Sequence, residues 1–506
     1  MSSASSEKQI MVGKLPIGFK PEVPPPVPAK KLIIGPAMIA LGLSIGSGEL
    51  IFWPMLSSKI GPVLLWCALI SLFFQTLWTL EMSRWTVWTG EHWVLQMCRW
   101  WGVGTAVTIW AVFTFLAWGF GGWAAAAGKA IQSVTHIPHA VDVGTFVWSM
   151  ILFLIVWLVA LLAGTVREWV EWILTIKMFI IWIMLIIALA VETAVVGGGK
   201  LWGPVAKGIF VPHWPGELIP SKLPYFTLAA AICFIGAGGT TNMWYSFWIR
   251  DAGYGMGAYI GRIPGFLRGK PVAIELTGYL PEPTEENIKR IKKWWSNVKM
   301  VFWVIFFILN YITAVFFVTV VYGGKILGLV KPVSGVSVIM LEAGIVQTVF
   351  HHSYAMYVFF IVVASILLFG TQLSLSEGVV RQIADTTYIG SERIRRFFKN
   401  DIRREYFWVM VLWVVWNAIW LSTITLAHVK PILLLKLPAN INLVYQVISA
   451  PLTVYFIYGI ARKGVPKEIW EHMKPNPIVP VLLILGSIFW AYFVVMGWAE
   501  LAHIVP

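Results

Sequence analysis

Two short clusters of small and polar residues lie inside long apolar stretches of this 506-residue chain. The first cluster is Gly46-Ser47-Gly48-Glu49, and the second runs from Gly236 to Asn242 with the sequence GAGGTTN. A carboxylate inside an apolar segment is energetically costly and usually functional. Carboxylate, amide, hydroxyl and backbone carbonyl oxygens are the ligands that hard cations such as Mg²⁺, Ca²⁺ and Mn²⁺ prefer. The candidate binding residues are Glu49, Gly46, Ser47, Gly236, Thr240, Thr241 and Asn242, and the candidate metal ligands among them are Glu49, Asn242 and Thr240.

Both clusters would interrupt a helix about halfway along an apolar segment. The first interruption comes about 12 residues after a start near Leu32, and the second about 11 residues after a start near Tyr225. Irregular backbone at membrane depth is tolerated only where it is buried in protein or lines a water-filled cavity. Two interruptions at matched positions indicate an inverted repeat whose broken helices meet near the bilayer midplane. Glycines that only allow close packing of continuous helices are the alternative.

The composition indicates the class of protein that must position these residues. Hydrophobic residues make up 58% of the chain and charged residues 12%, and the mean hydropathy is +0.77. Stretches of more than 18 apolar residues predict membrane-spanning helices and exclude a soluble enzyme. The sequence predicts an all-α polytopic membrane protein with eleven spans, at about 32–55, 62–82, 104–127, 145–165, 169–195, 225–247, 299–322, 353–376, 406–427, 440–461 and 478–500.

The distribution of basic residues predicts the orientation. With the amino terminus inside, the inner loops hold 28 Lys and Arg residues and the outer loops hold nine, which fits the positive-inside rule. Because this explains the net charge of +14, a nucleic-acid partner is not expected. We predict a plasma-membrane protein with a cytoplasmic amino terminus and an external carboxyl terminus. The predicted units are a flexible Pro-rich tail (1–31), a first five-helix repeat (32–196), a second repeat (225–461) and an eleventh helix with the carboxyl terminus (478–506).

A cytoplasmic loop at 251–297 is the longest insertion between predicted spans. Thr284 followed by Glu285 and Glu286 predicts the start of a short helix. Its basic face and two following tryptophans suit a helix lying against anionic lipid headgroups at 284–295. A surface helix in an ordinary positive-inside loop is sufficient to explain this pattern, and a regulatory or partner-docking role is the alternative.

Lys177 and Glu377 are candidates for a coupling or proton pathway. Lys177 lies about eight residues into the fifth segment, where an amine could be a fixed charge or a proton carrier. It could instead extend to the interface or pair with Glu168 or Glu171. Glu377 could line an inner exit, or form an i,i+4 ion pair with Arg381. Glu49, correspondingly, is either a ligand or a cap for the following half-helix.

The stretch Gly35-Pro36-Ala37…Gly46-Ser47-Gly48-Glu49 resembles the first helix of the Nramp family of divalent-metal transporters. Asn442…Val444-Tyr-Gln-Val-Ile-Ser449 is similar to the tenth helix of that family, which identifies Gln446 as a residue facing the site. The resemblance implies a LeuT-type inverted repeat of five plus five helices with helices 1 and 6 broken. It also implies a secondary active symporter of metal ions.

The chain departs from the family pattern at the metal ligands. Glu49 stands where the family motif Asp-Pro-Gly-Asn ends, and Thr240, Thr241 and Asn242 stand where the sixth helix has Met-Pro-His. The loss of the thioether and the histidine favours a harder cation such as Mn²⁺ or Mg²⁺, or a solute that is not a metal.

Three other functions remain to be compared with cation transport. The fold could carry an amino acid or another small organic solute, or it could belong to a transporter-like protein that has lost metal transport. An enzyme is not expected, because the sequence lacks HExxH, GxSxG and P-loop motifs. No cofactor is expected either.

Overall fold

A computed structural model of the chain describes residues 10–12, 15–17, 19–29, 34–162, 166–214, 224–261 and 278–502. Within these residues, ten helices are long and apolar enough to cross a membrane. Two shorter helices, Tyr225–Phe234 and Thr241–Asp251, together form one more span. The predicted all-α architecture with eleven spans is therefore confirmed, and the chain is a multi-pass membrane protein.

The first repeat holds spans 1 to 5. Their helices are Gly35–Ser44, Gly48–Phe52 and Trp53–Ile60 (span 1), Leu65–Thr89 (span 2), Val103–Trp118 and Gly122–Thr135 (span 3), Val141–Leu162 (span 4) and Val166–Val196 (span 5). Helix Val94–Trp101 joins spans 2 and 3, and helix Gly198–Phe210 follows span 5.

The second repeat holds spans 6 to 10, and span 11 follows it. After span 6 these are Glu285–Phe302, Trp303–Leu309 and Asn310–Ile326 (span 7), Tyr354–Gly390 (span 8), Ile402–Leu426 (span 9), Leu433–Tyr455, Phe456–Ala461 and Arg462–Gly464 (span 10) and Ile478–Leu501 (span 11). Shorter helices between spans are Gly255–Tyr259, Ser337–Val349, Glu392–Phe397 and Lys467–Met473.

Spans 1 and 6 are both interrupted, as the sequence predicts. The first helix of span 1 ends at Ser44, and the chain resumes helical structure in a wider turn at Gly48–Phe52. In span 6 the interruption covers 235–240, where Gly238 and Gly239 have φ of +78° and +51°. Glycine adopts these angles without the steric cost that a Cβ atom imposes.

The segment before span 1 is not a flexible tail at residues 19–29. Strand Lys20–Glu22 pairs in parallel with strand Tyr279–Pro281, and strands Ile10–Val12 and Leu15–Ile17 pair with each other. The Trp294 indole donates a hydrogen bond to the Pro25 carbonyl at 2.8 Å. The polar, Pro-rich composition predicts a flexible tail, but the carbonyls of this stretch still accept hydrogen bonds from side chains of span 7.

The predicted surface helix at 284–295 is the inner end of span 7. Thr284 caps it as expected, its hydroxyl accepting a hydrogen bond from Asn287 N at 3.3 Å. The helix then continues without a break to Ile326. The predicted separate short helix is instead the first part of this span, and its buried residues Ile291, Trp294 and Val298 form a stripe that packs on the protein.

At Gly48 the backbone of span 1 comes close to the backbone of span 6. A Cβ atom at Gly48 would lie 1.8 Å from the carbonyl oxygen of Phe234, whereas a Cβ atom at Gly344 meets nothing within 4 Å.

We therefore expect Gly48→Ala to lower the free energy of unfolding by about 1–3 kcal/mol, which is the usual cost of overpacking a core. Gly344→Ala, also in a helix, is the control. Thermal unfolding in detergent measures both variants, and an unfolding temperature for Gly48→Ala equal to wild type would show that the two spans are not in this contact.

Candidate functional site

A small cavity lies where the interruptions of spans 1 and 6 meet. Its volume is about 10 Å³, close to the minimum at which an enclosed space holds one water molecule. Its polar lining includes Ser44, Ser47 and Thr371, and the backbone of Gly236 and Ala237. Aromatic rings complete it, from Trp118, Trp123 and Phe234. The cavity is therefore a compact space that both oxygen atoms and aromatic rings line.

The hydroxyls of Ser44 and Ser47 are the unsatisfied groups at this cavity. Both side chains are buried, and neither hydroxyl has a hydrogen-bond partner in the described part of the chain. The Thr371 hydroxyl, in contrast, donates to the carbonyl of Ile45 or Leu367, at 3.3 and 3.2 Å. A buried hydroxyl without a partner costs about 1–3 kcal/mol. Two such hydroxyls facing one space are typical of a site that receives a polar ligand.

Side chains from neighbouring spans bind the backbone that the interruption of span 6 exposes. Gln75 donates to the Cys233 carbonyl at 3.0 Å and accepts from the Gly238 N–H at 3.0 Å. Asn442 accepts from the Thr240 N–H at 3.2 Å, and Asn310 donates to the Ile235 carbonyl at 2.9 Å. The interruption is thus held open by three buried amides, and these carbonyls are already occupied.

Glu49 lies at the interruption of span 1 but does not line the cavity. Its carboxylate accepts a hydrogen bond from the Gly46 N–H at 3.2 Å, while its second oxygen has no partner among the described residues. This is the arrangement of a cap on the outer half of span 1. Because one oxygen remains unbonded and the side chain is fully buried, capping alone leaves a polar atom unsatisfied.

Lys177 of span 5 links span 1 to span 8 through its hydrogen bonds. Its ammonium donates to the carbonyls of Gly42 at 2.6 Å and Leu367 at 3.1 Å. It is 2% exposed, so it does not extend to the membrane interface. Lys177 and Glu49 are close enough to interact electrostatically, and the pair is electrically neutral when both groups are charged.

The other predicted site residues have their own bonding partners. The Thr240 hydroxyl accepts from the Trp118 indole at 2.5 Å, and the Thr241 hydroxyl bonds to the Gly238 carbonyl at 2.6 Å. Asn242 accepts from Thr79 at 2.9 Å, and Gln446 accepts from the Cys233 thiol at 3.3 Å. Of the predicted residues, the structure brings Ser47 and Gly236 to the cavity. It does not bring Glu49, Thr240 and Asn242 there together.

Glu377 belongs to a buried ion network near the inner end of span 6. Arg381 pairs with both Glu377 and Asp251, and Arg250 pairs with Asp251 at 2.8 Å and with Asp385. The Trp248 indole also donates to Glu377 at 3.2 Å. These contacts join spans 6 and 8 on the predicted cytoplasmic side.

Among the residues at this site that sequence reasoning missed are Gln75, Trp118 and Thr371. Gln75 offered a signal, since an amide in the middle of an apolar segment needs a buried partner. Trp118 and Thr371 offered none, because indole and hydroxyl groups are common in membrane helices.

No family model matches the chain, and no curated protein matches it. Solved structures do. A variant of the Eremococcus coleocola manganese transporter is similar at a TM-score of 0.58 and 15% identity, covering 96% of this chain and 90% of that chain. MhsT in complex with L-phenylalanine is similar at a TM-score of 0.52 and 13% identity, covering 92% and 98%.

The nucleobase-cation-symport-1 family transporter Mhp1, with bromovinylhydantoin bound, has a TM-score of 0.51 and 11% identity, covering 94% of this chain and 93% of that chain. At these identities the likeness concerns the fold. The chain has a LeuT-type fold, as the sequence predicts.

Replacement of Gln75 tests whether the interruption of span 6 depends on side-chain hydrogen bonds. Gln75→Leu leaves the Cys233 carbonyl and the Gly238 N–H without that partner, so we expect a loss of about 2–4 kcal/mol in stability. Gln382→Leu is the matched control. Gln382 is equally buried, and its amide has no partner in the described residues. Thermal unfolding compares the two variants, and equal losses would contradict the role given to Gln75.

Proposed function

We propose that the protein is a secondary active transporter that carries a small, hard metal cation by alternating access. The observation that carries this proposal is the pair of unbonded hydroxyls, Ser44 and Ser47, at the junction of two interrupted helices. Broken helices of this kind form the substrate and ion sites of transporters with inverted repeats. Rocking of one repeat against the other would expose the cavity to each side in turn.

The size of the cavity favours an ion over an organic solute. A volume of about 10 Å³ accepts a dehydrated ion or one water molecule, whereas an amino acid would require rearrangement of Trp118, Trp123 and Phe234. Hydroxyl and carbonyl oxygens suit Mg²⁺ or Mn²⁺ better than soft metals. The family resemblance of spans 1 and 10 and the similarity to a manganese transporter support the same class of cargo.

The charges near the cavity suit reversible binding of a cation. Among the described residues, no group of three or more His, Cys, Asp or Glu side chains is placed to hold a metal ion. Glu49 would supply the one negative charge, and Lys177 partly offsets it. A weak, mostly neutral oxygen site lets a cation enter and depart, which transport requires.

Lys177 would couple cation binding to the release of a proton. A cation near Glu49 and a proton on Lys177 are two positive charges that compete for one carboxylate. Binding of the cation therefore favours loss of the Lys177 proton. Glu377 belongs to the buried ion network near the inner end of span 6. There it would change partners when the cytoplasmic side opens, and it would not contact the transported cation.

Neutralising Glu49 tests the electrostatic part of this proposal. In Glu49→Gln the positive charge of Lys177 is no longer offset, so we expect Mn²⁺ uptake into proteoliposomes to fall at least 100-fold. Glu342→Gln is the control, because Glu342 is also a fully buried carboxylate but lies on helix Ser337–Val349. Uptake by Glu49→Gln within two-fold of wild type would remove Glu49 from the mechanism.

Proton release on cation binding tests the role of Lys177. In weakly buffered solution, we expect wild type to release up to one proton for each Mn²⁺ bound, and Lys177→Gln to release none. The variant should bind Mn²⁺ at least ten-fold more tightly, because a repelling charge is removed. Equal proton release by both proteins would show that the coupled proton is elsewhere.

A ligand panel separates the cation from an organic solute. A ligand present at 100 times its dissociation constant stabilises the folded protein by about 2.7 kcal/mol. We expect Mn²⁺ or Mg²⁺, but no amino acid, to raise the unfolding temperature of the wild-type protein. An amino acid that does so while both cations fail would assign the alternative substrate class.

A further inference from the structure

A second and larger cavity lies on the predicted cytoplasmic side, at the ends of spans 2, 7 and 11. Its volume is about 240 Å³, many times the space that one water molecule needs. Its wall combines basic side chains with indole rings, and the residues that matter here are Arg84, Trp88, Lys292, Lys299, Trp303 and Lys474. It shares no lining residue with the cavity at the helix breaks.

The charge of this cavity is strongly positive. Glu81 is the carboxylate in its lining, and it is already paired with Arg84. Lys474 pairs with Glu471 at 2.5 Å. Lys292 and Lys299 form no salt bridge within the described residues, and Lys292 contacts His472 at 3.0 Å. Two ammonium groups therefore face one space without a carboxylate partner.

The indole N–H of Trp88 is a third hydrogen-bond donor in the lining of this cavity. Trp88 is 1% exposed, and its indole N–H has no hydrogen-bond partner in the described part of the chain. A buried N–H without a partner is costly. Together with the two lysines, it provides donors of the kind that bind phosphate oxygens.

The position of the cavity indicates that its occupant is amphiphilic. Trp88 is the second-last residue of span 2, and Lys299 and Trp303 lie within the continuous helix of span 7. Val304, next to Trp303, is 45% exposed on an apolar surface of that span. A ligand here would place a charged group among the lysines and an apolar group along the spans.

We propose that this cavity is a binding site for the phosphate headgroup of an anionic lipid. Basic pockets between membrane helices on the cytoplasmic side suit such headgroups. The site does not depend on the identity of the transported substrate. It would hold span 7 against spans 2 and 11, and so make the stability of the protein sensitive to the lipid composition of the membrane.

Native mass spectrometry of the full-length protein tests this site. Phosphatidylglycerol and phosphatidylcholine are titrated into wild type, Lys292→Gln/Lys299→Gln and the control Lys289→Gln/Lys293→Gln. The control removes two charges from the same helix at exposed positions outside the cavity. Each lysine near the surface is worth about a factor of five in affinity for an anionic lipid, so we expect the cavity variant to bind phosphatidylglycerol about 25-fold more weakly. We expect the control to bind it as wild type does.

Two results would overturn the proposal. Equal weakening in the cavity and control variants would show a diffuse charge effect with no defined site. Inorganic phosphate, added as a competitor, distinguishes the source of the ligand. Suppose that binding of inorganic phosphate requires Lys292 and Lys299 but binding of phosphatidylglycerol is independent of both lysines. The cavity then binds a soluble phosphate and not a lipid. Both double variants should unfold at the wild-type temperature in phosphatidylcholine, since all four lysines are exposed.

Discussion

The interruption of two helices inside the membrane imposes the main constraint on this structure. Backbone groups that leave a helix in an apolar medium must find other partners. In span 6 these partners are the amides of Gln75, Asn310 and Asn442, each contributed by a different span. The interruption is therefore a property of the whole bundle, and the surrounding spans are needed to maintain it.

The same hydrogen bonds determine which groups remain for a ligand. Since the amides occupy the Cys233 and Ile235 carbonyls, the side-chain oxygens without a partner at the junction include the hydroxyls of Ser44 and Ser47 and one oxygen of Glu49, among the described residues. The negative charge lies nearby on Glu49 and is partly balanced by Lys177, which also links span 1 to span 8. A change at Lys177 would thus affect both the charge near the site and the contact between spans 1 and 8.

The fold was largely predictable from the sequence, because each span carries its own signal. The apolar segments, the two interruptions and the Thr284 cap all depend on local composition, and the structure has them where we expected. The errors arose where a segment depends on distant partners. Residues 19–29 gain their structure from strand Tyr279–Pro281 and from Trp294, and the inner extension of span 7 is held by the same contacts.

The site was less predictable, for a related reason. Ser47, Gly236 and Glu49 could be identified because polar or small residues inside a span are unusual. Their orientation could not, since the Glu49 carboxylate accepts from the Gly46 N–H and the Thr240 hydroxyl is engaged by Trp118 of span 3. Such pairings are set by the rotation of each helix, which a pattern within one segment does not determine.

The most direct test of the central claim is the position of a bound cation. Crystals of the protein soaked in Mn²⁺ allow the metal to be located by its anomalous scattering. We expect an anomalous peak for manganese between the hydroxyls of Ser44 and Ser47 and the backbone of Gly236. A manganese peak elsewhere in the protein with none at the helix interruptions would contradict it.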